Sequence, residues 1–365
     1  EDETNDDFHV SNTDTLAQNQ GVDLSEDSNL PITDDIDGAE RDPDGLGFDI
    51  GADELPVAIY RSVGPSNTSA LDDDDSHGDT VVVSSGTATF TGTTIPDNVG
   101  VGDVVIVDTG GTDQTIDSSD TLLFISGRAS STVYTLQTES GAEPADISSN
   151  DTWQIYRAYT SLSLAEAGTE NSTVSGLGFS YTGGDRDLVT NNEQWNIACY
   201  DDAIDTSVVT VEDWTTGQQN YLRVYTPKNT TEVGTSQRHR GRRETFGYRL
   251  EVPNSSSTQR CMTIRDEYVR VDGLQMALTQ NATPNEGIGI IVQNLSGNGD
   301  VQISNNVIAM EAEATFQSGM FIGFSSKVWN NIVYDFEGAG IYFYAWNSST
   351  SYVHNNTVVY CSEGI

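Results

Sequence analysis

The chain of 365 residues is predicted to be all-β, built from short strands that repeat and stack. Three observations carry this expectation. Segments 301–308, 327–333 and 352–358 each hold an Asn-Asn pair, beginning at Asn305, Asn330 and Asn355, with steps of 330−305 = 25 and 355−330 = 25. Apolar residues stand two before each pair and two or three after it, as in Ile303 and Ile308 or Val328 and Val333. The composition is rich in Thr, Ser, Asn, Asp and Gly and poor in Lys, and helical periodicity is almost absent.

A fixed short period of strands and turn residues is the mark of a solenoid, in which each coil buries its apolar face only by stacking on the next. Asn suits the bends because it tolerates the left-handed region and bonds its own backbone. Stacked amides can also run as a ladder from coil to coil, here expected at Asn305, Asn330 and Asn355. The pattern resembles the right-handed parallel β-helix repeat. A β-sandwich with coincidental Asn-Asn turns is the competing fold.

Formal charge is −40, from 56 acidic and 16 basic residues, which argues against a nucleic-acid partner and suits saline or calcium-containing extracellular surroundings. The three cysteines, Cys199, Cys261 and Cys361, match no zinc spacing. They read as buried thiols, with a Cys199–Cys261 disulfide left open. No run of 18 apolar residues is present, so no membrane span is expected. The chain lacks an initiating Met and a signal peptide, which suggests a processed or partial sequence. Sequons at Asn67, Asn150, Asn171, Asn229, Asn254, Asn281, Asn294, Asn347 and Asn355 are compatible with glycosylation of a secreted protein.

Residues 1–55 are acidic and turn-rich. They run through Asp35-x-Asp37-Gly38, Arg41 and Asp42-x-Asp44-Gly45 to Asp49-Ile50-Gly51-Ala52-Asp53-Glu54. This ordered set resembles the helix-closing segment of secreted bacterial β-helix proteins, "D-x-D-G…R…D-I-G-A-x-E". There it ends the helix; here it comes first. Residues 56–78 read as a linker, with Gly64-Pro65-Ser66 and a solvated run at Asp72–Asp75. Residues 79–160 supply six strand-like segments with turn residues between them, fitting a small antiparallel barrel or sandwich, or a cap over the solenoid end. From about 161 to 365 the solenoid is expected, with a helical turn at Ala165-Glu166-Ala167 and rungs at 174–179, 195–200, 208–211, 221–225 and 271–276. Residues 56–365, with the segments Val189 to Tyr200 and Glu232 to His239, also resemble a repeat unit of very long bacterial surface proteins with β-helix modules, which implies secretion and a structural or adhesive role.

Four groups of residues are functional candidates. Asp35, Asp37, Asp42 and Asp44 alternate with Gly in the manner of calcium loops, without the EF-hand pattern; Ca2+ is the one cofactor the sequence suggests, against a solvated acidic turn. Arg238, Arg240, Arg242 and Arg243 concentrate four of the 16 basic residues around His239. An anionic surface polysaccharide, a neighbouring copy or the chain's own carboxylates are the candidate partners. In 341–346, Ile341, Phe343 and Ala345 share one face of a strand, and Tyr342, Tyr344 and Trp346 the other. That second face could stack on sugar or protein, or lie under a loop. No Gly-His-Gly turn of the polygalacturonase type is present, and Asp266 and Glu267 beside Arg265 and Arg270 are one loose lyase-like set. No catalytic residue is assigned.

These residues point to an extracellular structural protein, a surface or filament subunit. The last repeat reaches Cys361 and stops at Gly364-Ile365, where a further strand would begin. Residues 1–55 of one copy, with Phe8 and Ile50 as apolar anchors, are expected to complete that coil of the next, head to tail. A carbohydrate lyase, hydrolase or tail-spike type adhesin is the alternative.

Overall fold

A computed structural model describes residues 20–22, 25, 55–74, 78–110, 114–253, 258–279, 286–293, 295, 300–311, 316–344 and 350–365. The architecture is all-β and dominated by three parallel sheets. The first sheet stacks Val57–Val63, Glu193–Cys199, Leu222–Tyr225, Val269–Asp272, Val301–Ser304, Ser326–Trp329 and Tyr352–His354, in that order. The second stacks Ile204–Asp205, Arg249–Pro253, Gln275–Thr279, Val307–Glu311, Ile332–Tyr334 and Thr357–Val359. The third stacks Val209–Val211, Thr258–Ile264, Glu286–Val292, Phe316–Ile322 and Ala339–Phe343. The chain visits the three sheets in turn, once per circuit.

Register explains the repeat. Val301 pairs with Ser326, Lys327 with Tyr352 and Ile332 with Thr357, each a step of 25. Earlier steps are longer, 302−270 = 32 at Arg270–Gln302 and 269−222 = 47 at Leu222–Val269, because loops leave the stack between strands. Period-2 alternation then sorts the side chains. In the first sheet Leu222, Val224, Val269, Val271, Val301, Ile303 and Val328 join one continuous core, and the residues between them face outward.

The stack begins earlier than the sequence suggests. Val57–Val63 lies within the expected linker, yet it is the first strand of the seven-stranded sheet, paired residue for residue with Glu193–Cys199. Its inward residues Val57, Ile59 and Val63 have the same alternation as later rungs; the Gly-Pro-Ser turn and acidic run that follow masked that signal. Asp72–Asp73 is itself a short strand, antiparallel to Trp153–Tyr156. Residues 174–179 are no rung either. Ser172–Gly176 is a short helix, because Asn171 caps it by accepting from the Thr173 N–H at 3.0 Å. The predicted helical turn appears as Leu162–Glu166, capped by Ser161. All three cysteines are free thiols, so the open Cys199–Cys261 disulfide is not formed. Burial lifts the Cys261 thiol to about 12.

Between the first and second rungs sits an antiparallel sheet of eight strands, from Asp72–Asp73 to Trp153–Tyr156. Its two faces have separate fates. Val105, Val107, Leu123, Ile125, Trp153 and Ile155 enclose a core of its own, whereas Val104, Ile106, Phe124 and Tyr156 belong to the core of the parallel stack. The sheet therefore covers the apolar end of the stack. It also occupies the outer edge of Val57–Val63: the Ser62 N–H donates to Gly102 O, and the Tyr159 N–H to Ser62 O, both at 2.9 Å. Gly102, at φ +88°, lies so close that a Cβ there would meet the Arg61 carbonyl carbon at 2.3 Å.

Two buried arginines fasten this junction. Arg157 is fully buried and uses all its donors: Nη1 to both oxygens of Asp103 at 2.9 Å, Nε and Nη2 to Asp202 at 2.9 and 2.8 Å, and Nη2 to Asn98 O at 3.1 Å. Burial outweighs the Arg157 charge at Asp103 and lifts that carboxyl to about 6. At Asp202 burial also pushes upward, but the hydrogen bonds and charge of Arg157 hold it below the usual range. Arg61 lies 3.5 Å from the Phe124 ring centroid and donates to Tyr60 O and Glu139 O, both at 2.8 Å. Burial lowers its pKa to about 10.

Candidate functional site

The Asn pairs divide their labour between two positions. Asn305, Asn330 and Asn355 take φ of 56°, 57° and 55°, the left-handed bend between the first and second sheets. The amide ladder runs one residue further on, through Asn306, Asn331 and Asn356, which corrects the expected ladder at 305, 330 and 355. Asn331 Oδ1 accepts from the Asn306 N–H at 2.9 Å and Nδ2 at 3.0 Å, and Asn356 Oδ1 accepts from Asn331 N–H and Nδ2, each at 3.0 Å. The bend turns the first Asn outward and the second into the stack, where Asn306 and Asn331 are fully buried. Both positions recur at 25 residues, so spacing alone could not choose between them.

The rung of Tyr352–His354 and Thr357–Val359 is paired on one side only among the described residues. Val353, Val358, Phe343 and Cys361 pack on the core there while partly exposed, and Tyr360 and Ile365 are exposed. Cys361 and Ile365 thus lie at this end of the stack. Tyr342 and Tyr344 face outward from the third sheet, 37% and 46% exposed, with their rings 5.3 and 6.5 Å from Phe321. A cleft of about 280 Å³ lined by Gln317, Glu337, Tyr342 and Glu363 lies beside them. Trp346, Phe8, Ile50 and the calcium candidates Asp35, Asp37, Asp42 and Asp44 lie outside the described residues. Among the described residues no group of three or more His, Cys, Asp or Glu could hold a metal ion, and no helix is long and apolar enough to cross a membrane.

The basic run is occupied by the chain itself. Arg238 pairs with Asp272, Arg242 with Glu244 at 2.7 Å, and Arg243 with Glu251 at 2.9 Å and with Glu311. Arg240 lies over the Phe246 ring at 4.6 Å. Of the three candidate partners for these arginines, the own-chain carboxylates hold three of the four. The loop straps successive rungs: Gly247 N–H donates to Asp201 at 2.8 Å, Arg238 reaches Asp272, and His239 Nε2 donates to Asn305 O at 2.7 Å. His239 Nδ1 accepts from the Gly241 N–H at 3.0 Å, which fixes the neutral Nε2–H tautomer. Burial lowers the His239 pKa, against the Asn305 hydrogen bond and with the help of the Arg238 charge.

The lyase-like set is dispersed. Arg265 pairs with Glu212, and Arg270 lies 3.3 Å from the Tyr221 ring centroid on the outer face of the first sheet. Asp266 instead joins a carboxylate group that sequence reasoning missed, because its members come from four separate segments. Trp214 N–H donates to Asp266 at 3.0 Å and Glu212 N–H to Glu166 at 3.2 Å, with Asp185 and Asp213 nearby. Burial, aided by these like charges, raises Glu166 to about 7 and Asp266 to about 6. Such carboxyls hold a proton close to neutrality, the property general acids use. A cleft of about 530 Å³ lies elsewhere, in the antiparallel sheet between Asp108, Thr121, Asp146 and Ser148. Asn171 is fully buried and donates to Asn67 O and Arg157 O, so its sequon is closed to glycosylation in the folded chain. Comparison with known proteins finds no matching family model, no matching curated protein and no matching solved structure.

Proposed function

We propose that the stacked circuits form a right-handed parallel β-helix and that the chain is an extracellular structural module, a surface or filament subunit that associates through its rung edges. The observation that carries this reading is the difference between the two ends of the stack. The antiparallel sheet occupies the edge and apolar end at Val57–Val63, while the Tyr352–His354 and Thr357–Val359 edges meet no further strand of the described chain. Among the described residues, the edge that a further strand can join is the one away from the cap. A strand entering there meets the same register, and its Asn would offer Asn356 the acceptor that Asn356 offers Asn331. The incoming segment is residues 1–55 of another copy, Phe8 and Ile50 included, or a further rung in a longer tandem chain, where the same contact is covalent. Ca2+ at Asp35, Asp37, Asp42 and Asp44 would neutralise that acidic segment as it docks.

Electron microscopy and light scattering of the purified chain, with and without residues 1–55, test this. Regular polymers that vanish on deletion while the melting transition persists support it. Polymers that survive the deletion refute it, and so do monomers that degrade acidic polysaccharide.

A further inference from the structure

The first sheet carries an outward column of cations that the proposed assembly does not use. Arg223 pairs in register with Arg270, Arg270 with Gln302, Gln302 with Lys327, and Lys327 with Tyr352. Their neighbours Val224, Val271, Ile303 and Val328 point into the core, so the column faces outward. Adjacent parallel strands lie about 4.8 Å apart, which sets two guanidinium groups on neighbouring rungs. Like charges at this spacing repel unless an anion sits between them.

The chain supplies little of that anion. Among the described residues no carboxylate lies within ion-pair distance of Arg270, and Arg223 reaches only Asp272 at 3.8 Å, which Arg238 already holds. Lys327 bonds Asp300 at 2.7 Å. The strip thus sets Arg223, Arg238, Arg270 and Lys327 against Asp272, Asp300 and Glu232, whose charge is felt with that of Arg223 at Tyr60 and Tyr225, 4 − 3 = +1, on a chain of formal charge −40. The guanidinium carbons of Arg270 and Arg223 lie over aromatic rings, 3.3 Å from the Tyr221 centroid and 3.7 Å from the Tyr225 centroid. A guanidinium held over a ring by cation–π attraction still has N–H donors to offer a bidentate acceptor. Burial, against the Tyr221 contribution, and the like charge of Arg223 lower the Arg270 pKa. At the far end of the column the chemistry changes. Tyr352 is 61% exposed, and the Trp329 and His354 rings stack at 6.1 Å and 13°. Flat exposed rings suit the apolar faces of sugars.

We infer that the outer face of the seven-stranded sheet binds an acidic polysaccharide, with a uronate carboxylate seated at Arg223 and Arg270 and sugar rings lying toward Trp329 and Tyr352. The column spans four rung steps, about 19 Å at the strand spacing, the length of a short extended oligosaccharide. The aromatic end favours a glycan over an acidic peptide, which would need cations along the whole strip.

Isothermal titration of the full chain with a galacturonate hexamer, a neutral β-1,4-glucose hexamer and hexaglutamate, in low and physiological salt, tests the inference. The galacturonate hexamer is expected to bind, with the other two at least about tenfold weaker, and its affinity to fall with salt. R223Q/R270Q should weaken it by about tenfold or more, and R270K, which keeps the charge but loses the fork, by less. Equal binding of hexaglutamate, no binding of the galacturonate hexamer, or unchanged affinity in R223Q/R270Q overturns it. Polymer formation is read separately by microscopy, so failure here leaves the assembly reading standing.

Discussion

His239 bridges two backbone groups that demand one tautomer, a carbonyl at Nε2 and an N–H at Nδ1. A second proton sets two donors face to face and breaks the Gly241 bond, worth about 1 kcal/mol. The folded-state pKa lies below 6.5, so the unfolded chain takes up the proton first. The contribution is intact at neutral pH and is lost as pH falls through 6.5 toward the lower folded value. Denaturant midpoints of the wild type should therefore drop faster between pH 7 and 5 than those of H239Q; parallel curves would show that the strap does not titrate. The Asn pairs give a sharper contrast. Asn331 satisfies buried partners on both neighbouring rungs, so N331G should cost about 3 kcal/mol or more in a urea melt. Asn330 supplies only a left-handed bend, which glycine adopts freely, so N330G should be near neutral.

Elements are joined here by charge as much as by apolar contact. Arg157 ties the end of the antiparallel sheet to the loop after the second rung, and R157M would strand Asp103 and Asp202 in the interior. Breaking a buried pair this way costs about 3–5 kcal/mol. Calorimetry of R157M should show a transition lowered by that amount, or the antiparallel sheet melting apart from the stack; an unchanged transition would assign the coupling to apolar packing alone. The carboxylates behind the third sheet act in the opposite sense. Glu166 and Asp266 have folded pKa values raised to about 7 and about 6, so their contribution is present below about pH 4 and is lost as pH rises through those values. E166Q should raise the melting temperature at pH 8 and leave it nearly unchanged at pH 4. A gain that does not depend on pH would mean that the buried Glu166 charge is not its source.

Across the whole molecule, stability should fall with distance from the cap. Rungs at Glu193–Cys199 and Leu222–Tyr225 have neighbours on both edges and the antiparallel sheet close by, whereas Tyr352–His354 and Thr357–Val359 are held on one edge among the described residues. Nearest-neighbour stacks of this kind open from their less supported end. Amide exchange followed by mass spectrometry should protect 193–225 most strongly and 352–359 least, and deletion of residues 1–55 should leave the first group unchanged. Uniform protection along the stack would mean that it opens as one unit.

Sequence by itself determined the all-β class, the parallel stacking with its 25-residue step and six of the eight strands of the antiparallel sheet; Asp72–Asp73 and Ile147–Asn150 were not among them. Those features rest on local rules: alternation sorts faces, and Asn recurs wherever the chain must bend left-handed. Only the tertiary structure decided what depends on residues far apart. It placed the first rung at Val57–Val63, 136 residues from its partner by 193−57 = 136, where no period could reveal it. It moved the ladder to Asn306, Asn331 and Asn356, since burial follows from which side of the bend enters the stack. It neutralised the Arg238–Arg243 run with carboxylates from several rungs, and aligned Arg223, Arg270 and Lys327, which stand at unequal spacings in the chain, in one outward column. Loops of different length bring such residues to the same height. Height in a stack is fixed by hydrogen-bond register between rungs, which the linear order of residues does not carry.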